Sequence, residues 1–267
     1  MRQLAVWLGL VVVVTGRSAV AAPPTDAFAY AVLATERVDL GGKGRVQGDV
    51  GCLSSTVSVG PGTKVTGVAA APSITLGKNA RVSGGFFCST LEGSADVCMP
   101  LPNPLVATPT IVLVGAPSNS DVSAAKRSKS TTPLAAGAYG KLTVGGAAEM
   151  TLAGGTYQFE SISVGARGKL LCRAACDVTV RGRIEVGQAT QLGAAKEVAP
   201  AGVIFRVAGQ GESTALSAKS RATIRGTIYA PSAKISIGGA TRVAGSLVGG
   251  DVSVGSRARL QAPTATT

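Results

Sequence analysis

Six basic residues, Arg45, Lys64, Arg81, Lys169, Arg242 and Arg259, each stand four positions after a glycine, in segments that otherwise resemble one another. Glu149, Gln191 and Thr223 fill the same offset in the other copies. Like charges on neighbouring strands repel, so an aligned cationic column suggests a polyanionic partner that relieves the repulsion. Lipopolysaccharide, acidic exopolysaccharide and extracellular DNA all carry suitable charge. The other reading is that long cationic stems cover apolar surface and discourage aggregation. Acidic polysaccharide or another envelope polyanion is the expected partner. Nucleic acid is less suited, because aromatic residues are only 4% of the chain and bases stack on aromatics.

A second column sits between two apolar neighbours and reads Ser58, Thr75, Thr143, Ser163, Ser217, Ser236 and Ser253, with Asp39 and Glu185 in the same register. Aligned hydroxyls could meet an ordered surface such as ice or a glycan. They equally suit solvated strand positions that hydrogen bond along a stack.

Catalytic chemistry is missing. The chain contains no histidine, which removes Ser-His and Cys-His nucleophile systems and hexapeptide-repeat acyl transfer. A glycosidase needs two carboxylates a few ångströms apart. The nearest approaches, Asp39 with Asp49 and Glu149 with Glu160, read as solvated faces. No catalytic residue, cofactor or metal site is expected. Of the five cysteines, Cys88 with Cys98 and Cys172 with Cys176 are disulfide candidates. Cys52 is left as a free or intermolecular thiol.

These residues need elements to align them. The repeating unit is apolar, Ser/Thr, apolar, Gly, three variable residues, a basic residue, apolar, any residue, Gly. The best copies are Val57 to Gly67, Ile74 to Gly84 and Ile235 to Gly245, with weaker ones starting at Val38, Leu142, Ile162, Ile184, Leu216 and Val252. Alternation inside a copy has the period of a strand. A unit of about 17–20 residues cannot bury its own apolar face, so copies must stack. The expected fold is all-β, a right-handed parallel β-solenoid. An antiparallel sandwich would not return the same residue type to the same offset.

Arg2, the apolar run Leu4 to Val14 and the small residues Ala19-Val20-Ala21 form a secretory signal peptide. The run is too short to cross ~30 Å of hydrocarbon, and no second such stretch follows. The expected organisation is 1–21 signal peptide, 22–98 N-terminal solenoid coils, 99–133 a Pro/Ser-rich linker or strap, and 134–262 C-terminal coils that form one stack with 22–98. Ser120 to Lys129 is expected to form one or two helical turns at most. The expected location is that of a secreted bacterial protein, extracellular, periplasmic or at the cell surface.

Leu134-Ala135-Ala136-Gly137-Ala138-Tyr139-Gly140, Thr151 to Phe159 (TLAGGTYQF) and Gly226-Thr227-Ile228-Tyr229-Ala230-Pro231 resemble motifs of an uncharacterised exported bacterial β-solenoid domain of the pilus-assembly-associated type. That resemblance implies a surface or appendage role without an established activity. Phe28 to Ala34 (FAYAVLA) with Gln47-Gly48-Asp49-Val50-Gly51 resembles the opening of the ice-binding, antifreeze-type solenoid superfamily, and the glycine repeats are similar to bactofilins. The expected role is therefore a non-enzymatic structural or adhesive surface protein. An ice-binding protein using the hydroxyl column, or a self-assembling polymer, are the alternatives.

Overall fold

Stacked parallel strands satisfy each backbone group with the coil above and the coil below, so a short repeat becomes stable only in an array. The computed structural model describes residues 26–93, 97–102, 111, 120–130, 132–209 and 214–263. The expected signal segment 1–21 lies outside them. The described residues form a parallel β-solenoid of about 10 turns, with two three-residue 3-10 turns and no α-helix. One sheet has 19 strands and the other has 9.

Each coil has three sides. Taking the first as the pattern, Val32–Leu40 begins on one side and bends onto a second, and Arg45–Gln47 lies on the third. We call these the apolar, hydroxyl and basic faces. On the hydroxyl face every second residue turns inward, so Val57, Val59, Leu142, Val144, Ile235 and Ile237 join the core while the residues between them face out. The basic face contributes Val46, Val65, Leu170, Ile224, Val243 and Leu260. Burying such a side chain stabilises by roughly 1.5–3 kcal/mol.

The repeat's first glycine is explained by space. A Cβ on Gly60 would lie 2.5 Å from the carbonyl oxygen of Leu40 in the preceding coil, and one on Gly41 would lie 2.5 Å from the backbone nitrogen of Ser256. Ala125 and Lys219 occupy this position in two coils. The Ala125 coil opens the stack, and nothing in the structure explains Lys219. Inward threonines tie some corners to the coil before. Thr63 donates to the Gly41 carbonyl at 2.6 Å and accepts from the Gly44 nitrogen at 3.1 Å, and Thr190 donates to the Gly165 carbonyl at 3.1 Å.

The order of coils in space differs from their order in the chain. Val32–Leu40 pairs on one side with Thr56–Val59 and on the other with Leu247–Val254, with Val38 opposite Val252 and Leu40 opposite Val254. Arg45–Gln47 likewise pairs with Arg259–Gln261. The first and last coils of the chain are thus neighbours in mid-stack. From this seam residues 32–92 build outward to one end, and residues 122–261 arrive from the other. The stack is ~50 Å long at ~4.8 Å per strand, and residues 100–121 reach ~70 Å when extended, so the connection is feasible. Instead of the helical turns expected over Ser120 to Lys129, Val122–Ala124 is a strand paired with Leu142 to Val144, and Lys129 bridges to Glu149.

The apolar face is buried on both sides. Leu33, Ala70, Tyr229 and Val248 point away from the core yet are fully covered. Met99 and Leu101 pack on Val68, Ala70 and Phe87, and Ile111 packs with Tyr30, Leu33, Tyr229 and Val248. These are described points of the 99–133 segment; residues 103–110 and 112–119 lie outside the described residues.

Two tests follow from this packing. Gly60→Ala should lower unfolding free energy by about 2–3 kcal/mol, read from denaturant melts, while Gly146→Ala, where a Cβ meets nothing closer than 3.5 Å, should cost less. Tyr30 is fully buried and its hydroxyl has no partner. Tyr30→Phe should therefore be neutral or stabilise by about 1 kcal/mol. Burial, with the Asp49 carboxylate adding to it, pushes the Tyr30 phenol up to about 12. Below pH 10 the phenol is neutral whether the chain is folded or not, and as pH rises from about 10 towards 12 only the unfolded chain ionises, so stability falls. Melts on either side of that window should show a smaller alkaline loss in Tyr30→Phe than in the parent.

Candidate polyanion-binding face

The seam assembles a feature that the linear order conceals. Along the basic face the facing residues run Arg242, Arg259, Arg45, Lys64, Arg81, each directly opposite the next. All five are exposed, and none makes an ion pair within the described residues. Neighbouring unit charges at strand spacing repel by about 1 kcal/mol in a water-like medium, less once salt screens them.

Lys169, expected in the same column, stands apart. Its neighbours are Glu149 and Gln191, and its Nζ lies 3.3 Å from the Glu149 carboxylate, which also pairs with Lys129 at 3.6 Å. Thr223 and Gln191 separate this balanced group from the ladder.

A further set of cations lies at the corner between the hydroxyl and basic faces, where the sequence pattern allowed any residue. Lys43, Arg127, Arg167, Arg221 and Arg257 hold φ of 58–62° there, a left-handed conformation unusual outside glycine. The signal was present as a recurring Arg or Lys two residues before the basic offset. Ala240 takes the corner between Arg221 and Arg257, leaving a depression of about 510 Å³. On the basic face beside it, Ala244 opens a second groove of about 410 Å³ bordered by Arg225, Arg242, Arg259, Arg45, Gln47 and Gln261. Arg225 is held in place by Nη2 bonds to the carbonyls of Val198 at 3.1 Å and Lys196 at 3.4 Å, and its buried Nε has no partner.

The hydroxyl column is aligned but broken. In spatial order it runs Thr143, Ser163, Glu185, Ser217, Ser236, Ser253, Asp39, Ser58, Thr75. Glu185 and Asp39 place carboxylates inside it. In the strand registers of the described residues no acid stands opposite another acid. No group of His, Cys, Asp or Glu among them could hold a metal ion.

Cys88 and Cys98 are bridged, closing the end of the stack where Phe87 pairs with Met99. Cys172 and Cys176 are unbridged and buried. The Cys172 thiol donates to Cys176, and that bond together with burial pushes its pKa well up; accepting it lowers that of Cys176. Cys52 is buried with its thiol directed at the Glu36 carbonyl, 3.0 Å away, and burial pushes its pKa up. A fully covered Cys52 has no route to a partner chain.

The fold and this face define a class: a parallel β-solenoid carrying a single-file cationic ladder. Residues 174–265 match a protein family described as a domain of unknown function (DUF7305), a span of less than half the chain. No curated protein and no solved structure matches the chain.

Thiol counting checks the cysteine assignment. The folded protein should expose no reactive thiol, and denaturation without reductant should release three. Release of a single thiol would show that Cys172 and Cys176 are bridged.

Proposed function

We propose that this protein is an exported, non-catalytic surface component that adheres to acidic polysaccharide through its basic face. The observation that carries the reading is the unbroken run Arg242, Arg259, Arg45, Lys64, Arg81, assembled from both ends of the chain and left without acidic partners among the described residues. Like charges on adjacent rungs oppose stacking. Here the repulsion is concentrated, and a polyanion removes it. The net charge of +12, only two units of which come from Arg2 and Arg17 in the leader, favours the same partners. Export is supported by the leader pattern in residues 1–21. The lack of histidine in the chain, and of facing acids in the strand registers of the described residues, supports a binding role over catalysis.

The test is a salt titration of the mature protein against acidic glycans and duplex DNA. Binding to an acidic polysaccharide should be measurable at low salt, and its logarithm should fall linearly with the logarithm of salt concentration. Arg45→Gln should make that slope shallower by about one counterion, while Lys169→Gln, already paired with Glu149, should change it less. Salt-independent binding, or none at low salt, would sink the reading.

A further inference from the structure

We infer that the basic face is a track for a linear polysaccharide bearing one carboxylate on each sugar, laid along the stack axis and seated at the seam. The inference rests on the polyanion reading above and adds the ligand's chemical class and orientation. The five cations form a straight file, one to each coil. Consecutive rungs are ~4.8 Å apart, close to the advance per sugar of an extended 1,4-linked uronate chain. In an extended two-fold ribbon of such sugars every second carboxylate faces the file, so the chain sets one charge against every second rung. The phosphates of a duplex wind around their axis, so few could meet a straight file.

Residue type narrows the choice further. Four of the five cations are arginines, whose planar guanidinium pairs with a carboxylate through two parallel hydrogen bonds. Beside them, two residues further along each strand, runs a second file of uncharged donors and acceptors: Gln261, Gln47, Thr66 and Ser83. Gln261 faces Gln47, and the backbone nitrogens of Thr66 and Ser83 continue the ladder to Val46 and Val65. An acidic sugar presents the matching pair, one carboxylate and several hydroxyls. None of the described aromatic residues lies on this face, so stacking with bases has no platform here.

The seam is the anchor because the surface is concave there. Ala244 precedes Gln261 in the amide file, and this small residue opens the groove bounded by Arg225 on one side and Arg259 on the other. Arg225, tied to two carbonyls, is a fixed wall. At the adjacent corner Arg221 and Arg257 flank the depression over Ala240, giving the track a second cationic border. A sugar ring fits where the side chains are short and the flanking guanidiniums are long.

Calorimetry with oligogalacturonates tests this. The hexamer should bind roughly tenfold or more tightly than the dimer, because each further pair of sugars engages another cation at high effective concentration. Full methyl esterification of the hexamer should abolish binding. Gln47→Ala with Gln261→Ala should weaken the hexamer severalfold while leaving heparin affinity unchanged. Arg45→Gln with Arg259→Gln should weaken both, and Lys234→Gln on the hydroxyl face should weaken neither. The length series uses the unaltered protein, so it stands even if a variant misfolds. A hexamer no tighter than the dimer, or duplex DNA binding as tightly at equal charge, overturns the track while leaving polyanion binding intact. Failure to bind any of these anions at low salt overturns both.

Discussion

The pairing of Val32–Leu40 with Leu247–Val254 is the contact on which the rest of the molecule depends. Most contacts in a solenoid join residues one repeat apart, and stability is nearly a sum of neighbour terms. This one joins the two ends of the described chain. Without it there would be two shorter stacks, each with an added open edge inviting association. The pairing is also expensive to find, since ends separated by a long chain lose more entropy when brought together and distant contacts slow folding. What compensates is continuity: both strands turn the same corner from the apolar to the hydroxyl face, and Arg45–Gln47 and Arg259–Gln261 extend the match to the third side.

Much of a single coil was legible in the sequence, because its determinants are local. Alternation in Val57-Ser58-Val59 or Ile235-Ser236-Ile237 sets which residues face inward, and the glycine after each marks where the next coil passes too close for a Cβ. The order of coils was not legible. Arg45 is first and Arg259 last in the linear column, yet they face each other, because no local pattern reports which distant copy a strand will pair with. The same reason hid the difference between Lys169 and the other five. Its neutralisation by Glu149 is a matter of register, whereas the residue type alone looked equivalent.

Other misses have separate causes. Ala-Ala-Lys-Arg-Ser-Lys at 124–129 has helical local preference, but pairing with the coil at Leu142 to Val144 overrides it. The corner arginines sat at positions read as variable, since a left-handed backbone there would ordinarily call for glycine or asparagine. Glycine does appear at one corner, Gly62, and asparagine at another, Asn79. The double burial of Tyr229 and Val248 left only a faint trace, a few consecutive apolar residues where strict alternation would have placed polar ones. Cys172 and Cys176 are close enough for a bond between thiols, as their spacing suggested, yet they remain unbridged.

The basic ladder crosses the seam, so the contact that unites the stack is also the one its charges oppose. Magnitudes decide the outcome. Arg242 against Arg259 and Arg259 against Arg45 each cost about 1 kcal/mol at most in a water-like medium. Beneath them Val46 and Leu260 are buried, and around the corner Val38 and Val252 are buried as well. Each such side chain contributes roughly 1.5–3 kcal/mol, so the apolar interior holds the seam closed against its own surface. The opposition bears on the proposed binding. A polyanion lying along Arg242, Arg259 and Arg45 would bridge coils from the two ends of the chain and remove the repulsion between them. Binding to the assembled face alone would therefore stabilise the assembled stack, and ligand recognition and fold integrity would meet at one line of pairing.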